Sequence, residues 1–166
     1  MTNTINVGIG GLGAIGMPVA RWLDAGITGL RLAGVSAGNK ERAAQRGSDF
    51  ASPPPVLDLA ELVTASDVLV EALPPQHFGE LADLTMAAGK KLIVLTLTSL
   101  LPRLDLVDKA TETGGQIIAA TGALVGFDAV RAAAKGEIYS VTMKTRKPPE
   151  GLKKATFVVE QGINLD

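Results

Sequence analysis

The chain contains no cysteine and a single histidine among its 166 residues. That excludes a disulfide framework and any thiolate metal site, and it leaves no His-rich cluster for a metal. Neither charge sign dominates, with a formal net charge of −1. Nucleic acid and anionic membranes are therefore not the expected partners. The apolar run at residues 92–101 is far too short to span a bilayer. The first Lys or Arg is Arg21, so the basic start of a signal peptide is missing and a cytoplasmic protein is expected.

What the chain has in quantity is glycine, 19 residues of it, within a composition that is 46% apolar. Three alternating apolar residues, Ile5, Val7 and Ile9, lead into Gly11-Leu-Gly-Ala-Ile-Gly16. An apolar series at helical spacing, Ile15, Val19 and Leu23, follows. Strand, glycine turn and helix start stand in the order that a dinucleotide site requires. Gly11 permits the tight turn, Gly13 lets backbone approach a pyrophosphate, and Gly16 lets the helix pack on the strand. The helix N-terminus then offers free N–H groups to the anion. Gly8-x-Gly10-x-x-Gly13 fits the same pattern but would bend the chain inside the strand, so the Gly11 register is preferred.

Strand-like and helix-like segments alternate after that. Strands are expected at 30–36, briefly at 56–57, at 68–73, at 92–97 and at 116–120. Helices are expected at 40–46, from the Asp58 N-cap to about Val63, up to Ala88 before Gly89, and at 104–113. This rhythm predicts an α/β fold, a Rossmann-type doubly wound parallel sheet. The pattern changes after Gly122. A helix at 127–135 precedes an alternating stretch, Ile138 to Arg146, with Tyr139, Val141 and Met143 on one face, which reads as a half-buried strand. The expected organisation is an NAD(P)-binding domain at 1–122 and an incomplete second α+β domain at 123–166. An open edge on that strand would favour dimerisation.

Several residues carry two readings. Position 36, where a carboxylate would favour NAD, is a serine; Ser36, Asn39 and Lys40 could accommodate a 2′-phosphate, so NADP is expected to be accepted alongside NAD. Equally, Lys40 and Arg42 could simply begin a solvated helix. His77 reads as a solvent-facing or adenine-side residue, and Glu71 as a partnered carboxylate near a helix start rather than a general base. Asp128 reads as a carboxylate offsetting a helix dipole, while Thr121 faces the expected hydride-transfer region. Lys147 could hold a substrate carboxylate or merely end a strand. No metal site is expected.

Four segments carry a resemblance: Gly11 to Gly16, Val70-Glu-Ala72, Thr121-Gly-Ala-Leu-Val-Gly-Phe-Asp-Ala-Val130 and Thr145-Arg-Lys-Pro-Pro149. On these the chain resembles the L-aspartate dehydrogenase family over nearly its whole length. The resemblance implies an oxidoreductase that takes hydride from C2 of L-aspartate onto NAD or NADP. It forms iminosuccinate, which hydrolyses to oxaloacetate and ammonia or feeds nicotinamide cofactor biosynthesis. It also implies a homodimer built through a C-terminal domain. The expected cofactor set is Gly11, Gly13, Ala14, Ile15, Gly16, Ser36, Ala72, Leu73, Pro74 and Ala123, where the resemblance places Ala123 against the nicotinamide. The family's glycine-rich segment reads Thr96-Leu-Thr-Ser-Leu100 here. Its catalytic histidine belongs to the C-terminal domain, so no catalytic residue is assigned and the chain looks truncated. The alternatives are a non-catalytic dinucleotide-binding module, or another two-domain reductase such as a dihydrodipicolinate reductase.

Overall fold

The computed structural model describes residues 4–122, 126–153 and 155–165. The chain forms two compact units, Met1–Ala123 and Leu124–Asp166. In the first, five strands pair in parallel: β1 (Ile5–Gly10), β2 (Leu30–Ser36), β3 (Val68–Glu71), β4 (Lys91–Val94) and β5 (Gln116–Ala119). Their spatial order is β2-β1-β3-β4-β5. The connections carry α1 (Gly16–Asp24), α2 (Lys40–Arg46), α3 (Leu59–Ala65), α4 (Phe78–Ala87), the single turn α5 (Leu97–Leu100) and α6 (Asp105–Thr113). The Rossmann-type doubly wound sheet read from the sequence is what the chain forms.

Both faces of the sheet are apolar because helices cover both. Val7, Ile9 and Val70 pack with Met17, Ala20 and Leu23 of α1. Leu69, Leu92 and Val94 pack with Leu62, Phe78, Leu81 and Leu106 on the other side. Each fully buried Leu or Ile in these layers contributes about 2 kcal/mol. The glycines of β1 have a separate use. A Cβ on Gly8 would crowd Leu69 Cδ1 at 2.9 Å and Leu62 Cδ1 at 3.0 Å, and one on Gly10 would crowd Leu81 Cδ2 at 2.8 Å. These two glycines let α3 and α4 close directly on the backbone of β1, and the strand runs straight through them, so the turn falls at Gly11.

Three strand expectations are corrected. Val56 makes only an isolated bridge to Val35; Pro54 and Pro55 have no N–H to give, and Asp58 already caps α3 in a capping box with Glu61. β3 stops at Glu71 rather than Leu73, and β4 at Val94 rather than Leu97. One side chain ends both. The Glu71 carboxylate is fully buried and accepts from the N–H groups of Leu73 (3.1 Å), Leu95 (3.2 Å) and Thr96 (2.9 Å), and from Thr96 Oγ1 (3.0 Å). Those N–H groups are thereby turned away from the ladder, and α5 can start at Leu97.

The second unit contains α7 (Phe127–Ala133) and α8 (Thr156–Glu160). The expected strand at 138–146 does not form, and Tyr139, Val141 and Met143 are exposed. Alternation supplies a face, but a strand also needs a neighbouring backbone for its hydrogen bonds, and this unit has no strand among the described residues.

Outside the core, Arg103 ties α4 to α6. Its guanidinium donates to Asp83 Oδ1 at 2.9 Å and to both Asp105 oxygens, at 2.9 Å each for the shortest pairs, and Lys109 lies 3.5 Å from Asp83. Hydrogen bonding from Arg103 holds the Asp83 and Asp105 carboxyls below their ordinary range. A depressed folded pKa adds stability that is full above the unfolded value and is lost as pH falls through the folded one. Arg103→Met is therefore expected to lower the urea midpoint at neutral pH, with the gap from wild type closing below about pH 4. A gap unchanged down to pH 3 would mean that Arg103 acts through packing alone.

Removing the Glu71 side chain strands three half-buried N–H groups. Glu71→Ala should cost about 3 kcal/mol in urea denaturation, and Glu71→Gln about 1 kcal/mol. The glutamine can keep one oxygen on Leu95 and Thr96 while the Thr96 hydroxyl turns to accept from its amide. Equal losses for the two variants would refute this account.

Candidate dinucleotide site

At the carboxyl end of β1, Gly11 adopts φ +97° and donates its N–H to the Ser36 carbonyl at 2.7 Å. A Cβ at this position would run into the Ala72 carbonyl, so only glycine fits. Gly16, five residues on, has its Cα against the Gly11 carbonyl, where a Cβ would collide, and a Cβ would also stand 3.2 Å from Ile9 Cγ2. That contact pins the buried face of α1 as Gly16, Met17, Ala20 and Leu23. It corrects the expected face: Ile15 is 55% exposed and Val19 only half-buried, because Gly16 rather than Ile15 is turned inward.

Gly13 differs from its two neighbours in the motif, since a Cβ there would meet nothing within 4 Å. Its freedom serves no packing among the described residues. The N–H groups of Gly13, Ala14 and Ile15 donate to no acceptor among the described residues. A bend open to approach, with unused donors at the positive end of a nine-residue helix, suits a diphosphate.

Three adjoining clefts ring this bend, where the strand order reverses between β1 and β3. The first, about 380 Å³, lies between the glycine turn, the start of α2 and the chain after β3. Gly11, Gly13, Ala72, Leu73 and Pro74 line it, together with Leu12, Gly38, Asn39, Arg42 and Arg46. The second, about 220 Å³, holds Ser36, Lys40, Leu73, His77 and Glu80. The third, about 230 Å³, holds Ala14, Ile15, Ala72, Leu73, Leu95 and Thr96. Leu73 borders all three. Gly16 lines none of them and acts from behind the turn. Ala123 lies outside the described residues.

Sequence reading missed the two arginines as a pair. Arg42 and Arg46 stand four apart on α2 and so share a face, a signal present in the spacing. Arg46 donates to the Leu12 carbonyl at 2.7 Å and tethers α2 to the glycine turn. Asn39 caps α2 by accepting from the Arg42 N–H at 2.7 Å.

The other flagged groups stand as follows. His77 is exposed, ending a short helical turn before α4, in the second cleft. Glu71 is not aimed into a cleft, since both oxygens are taken by N–H groups and a hydroxyl. Thr121 and Lys147 are exposed, and Asp128 is exposed in the first turn of α7. Among the described residues no group of three or more His, Asp or Glu is placed to hold a metal ion, and no helix is long and apolar enough to cross a membrane.

Comparison with known proteins agrees with this geometry. The family described as homoserine dehydrogenase, NAD binding domain, matches residues 11–120. The chain is 40% identical to L-aspartate dehydrogenase of Bradyrhizobium diazoefficiens, over 99% of this chain and 59% of that protein. It is 40% identical to L-aspartate dehydrogenase 3 of Bordetella bronchiseptica, over 98% of this chain and 60% of that one. It thus spans about 60% of the length of these relatives. In fold it is similar to UDP-N-acetylglucosamine 3-dehydrogenase of Acidithiobacillus ferrooxidans, with TM-score 0.59, 21% identity, and coverage of 80% of this chain and 44% of that one. Biliverdin reductase of Synechocystis sp. PCC 6803 gives TM-score 0.57, 21% identity, and coverage of 69% and 37%. The chain belongs to the family of NAD-binding domains described from homoserine dehydrogenase, and the relatives that match it along nearly its whole length carry the name L-aspartate dehydrogenase.

Proposed function

We propose that this chain binds NAD or NADP and forms the nucleotide-holding part of an L-aspartate dehydrogenase. The observation that carries the reading is the open bend at Gly13 with its unused N–H groups, at the reversal of strand order. In this reading the diphosphate lies on the N–H groups of Gly13, Ala14 and Ile15. Gly11 and Gly16 hold the turn closed behind it. The adenosine occupies the clefts bordered by Ser36, Leu73 and Pro74, and the nicotinamide end lies toward Ala14, Ile15, Ala72 and Thr96.

The bound nicotinamide supplies the hydride acceptor. Hydride leaves C2 of L-aspartate, the amine gives up a proton, and iminosuccinate forms; water then releases oxaloacetate and ammonia. The chain's own contribution is to fix the acceptor ring and keep water from it through the apolar side chains of Ile15, Leu73 and Leu95. Among the described residues, none that lines the third cleft can take the amine proton, so that base lies outside the cleft wall formed by these residues. The same observation favours the second reading, a dinucleotide-binding module without catalysis of its own. The absence of cysteine supports a cytoplasmic setting, and exposed Tyr139, Val141 and Met143 support a homodimer.

Two glycine variants separate folding from binding. Gly16→Ala drives a methyl group into the Gly11 carbonyl and should lower the thermal midpoint sharply. Gly13→Ala meets open space, so its midpoint should stay within a few degrees of wild type, while NAD(P)H affinity falls by about tenfold or more. Undiminished binding in folded Gly13→Ala, followed by nicotinamide fluorescence, would sink the diphosphate placement. Aspartate-dependent reduction of NAD or NADP by the 166-residue chain should be negligible beside that of the Bradyrhizobium relative; comparable turnover would show that the chain holds its own base.

A further inference from the structure

The proposed nucleotide site leaves open which of the two dinucleotides it takes, and the polar groups around the first cleft differ in a way that decides it. The two cofactors differ at one place, the adenosine ribose, where NAD carries a 2′-hydroxyl and NADP a 2′-phosphate. A site for the hydroxyl needs an acceptor, ordinarily a carboxylate at the end of the second strand, whereas a site for the phosphate needs cations. Here β2 ends at Ser36 and is followed by Ala37 and Gly38, which carry no acceptor of that kind.

The next candidate acceptor is already committed. The Asn39 side-chain oxygen takes the Arg42 N–H at 2.7 Å, which leaves its amide as a donor. Among the described residues no carboxylate lines the first cleft. Of the two in the second cleft, Asp58 is held in its capping box with Glu61, and Glu80 shares the wall with Lys40. Glu41, next to Arg42 in sequence, lines neither cleft.

The cations are arranged the other way. Arg42 and Arg46 project from the same side of α2 into the first cleft. Arg46 spends one N–H on the Leu12 carbonyl. The Arg42 guanidinium has no hydrogen bond or ion pair among the described residues. An exposed arginine beside a cleft, with all five donors unspent, is matched to a phosphate dianion by charge and by its planar fork.

We infer that the site selects NADP(H) over NAD(H), with Arg42 as the specificity-determining residue, supported by Arg46, through an ion pair to the 2′-phosphate. The inference rests on the dinucleotide reading above and deepens it. Lys40, which the sequence offered for this role, faces the neighbouring cleft with His77 and Glu80 and contributes less.

The test titrates the purified 166-residue chain with NADPH and NADH, following nicotinamide fluorescence. NADPH should bind about tenfold tighter or more, the size expected for one charge-assisted contact. Arg42→Ala should weaken NADPH by about tenfold to a hundredfold and leave NADH within about twofold. Circular dichroism confirms the fold of this surface variant. Adenosine 2′,5′-bisphosphate, which lacks the nicotinamide half, should displace NADPH from the wild type and do so poorly in Arg42→Ala. NADH binding as tightly as NADPH, or an unchanged NADPH affinity in Arg42→Ala, overturns the selectivity while the dinucleotide reading stands. Failure of both nucleotides to bind overturns the two together.

Discussion

The rim of the cleft depends on where the strands stop, and a single buried carboxylate decides that for two of them. Glu71 closes off β3 by taking the N–H of Leu73 and closes off β4 by taking those of Leu95 and Thr96. Leu73 borders all three clefts, and Leu95 and Thr96 form the wall of the third. Among the described residues the partners of the Glu71 carboxylate are N–H and O–H groups alone. Such an arrangement tolerates little change of geometry, and it fixes the wall that Leu95 and Thr96 give the third cleft.

The glycine turn works by a complementary principle. Two of its glycines are demanded by the fold, since Gly11 and Gly16 bring backbone atoms closer than any side chain would allow. The third is demanded by nothing among the described residues. That asymmetry lets one separate residues that build the site from residues that would meet its ligand. Family membership agrees with the geometry, because the matched span, residues 11–120, begins at that turn and ends just past β5.

Much of this was legible in the residues. The order of strand, turn and helix set the register at Gly11, and the alternation of segments set the parallel sheet. Chain geometry blurred the rest. Ile15 sits at helical spacing from Val19, yet the Gly16 contact rotates the helix and leaves Ile15 in the open. An apolar run such as residues 92–97 cannot announce that a carboxylate 24 residues upstream will pull its N–H groups aside. Alternation at 138–146 specified a face without a partner strand to hydrogen-bond it. Arg46 escaped notice because its role lies in reaching Leu12, 34 positions earlier.

The bare flank of β1 has one more effect. Gly8 and Gly10 present no side chains to α3 and α4, so Leu62 and Leu81 bear directly on main-chain atoms. Side chains elsewhere can cushion a change in volume by shifting rotamer, but here there is no cushion. Enlarging a leucine on that flank would displace the peptide planes leading into residue 11 and tilt the loop beyond them. Remote substitutions in these two helices should therefore be felt as altered ligand affinity, with the central ribbon acting as a mechanical lever.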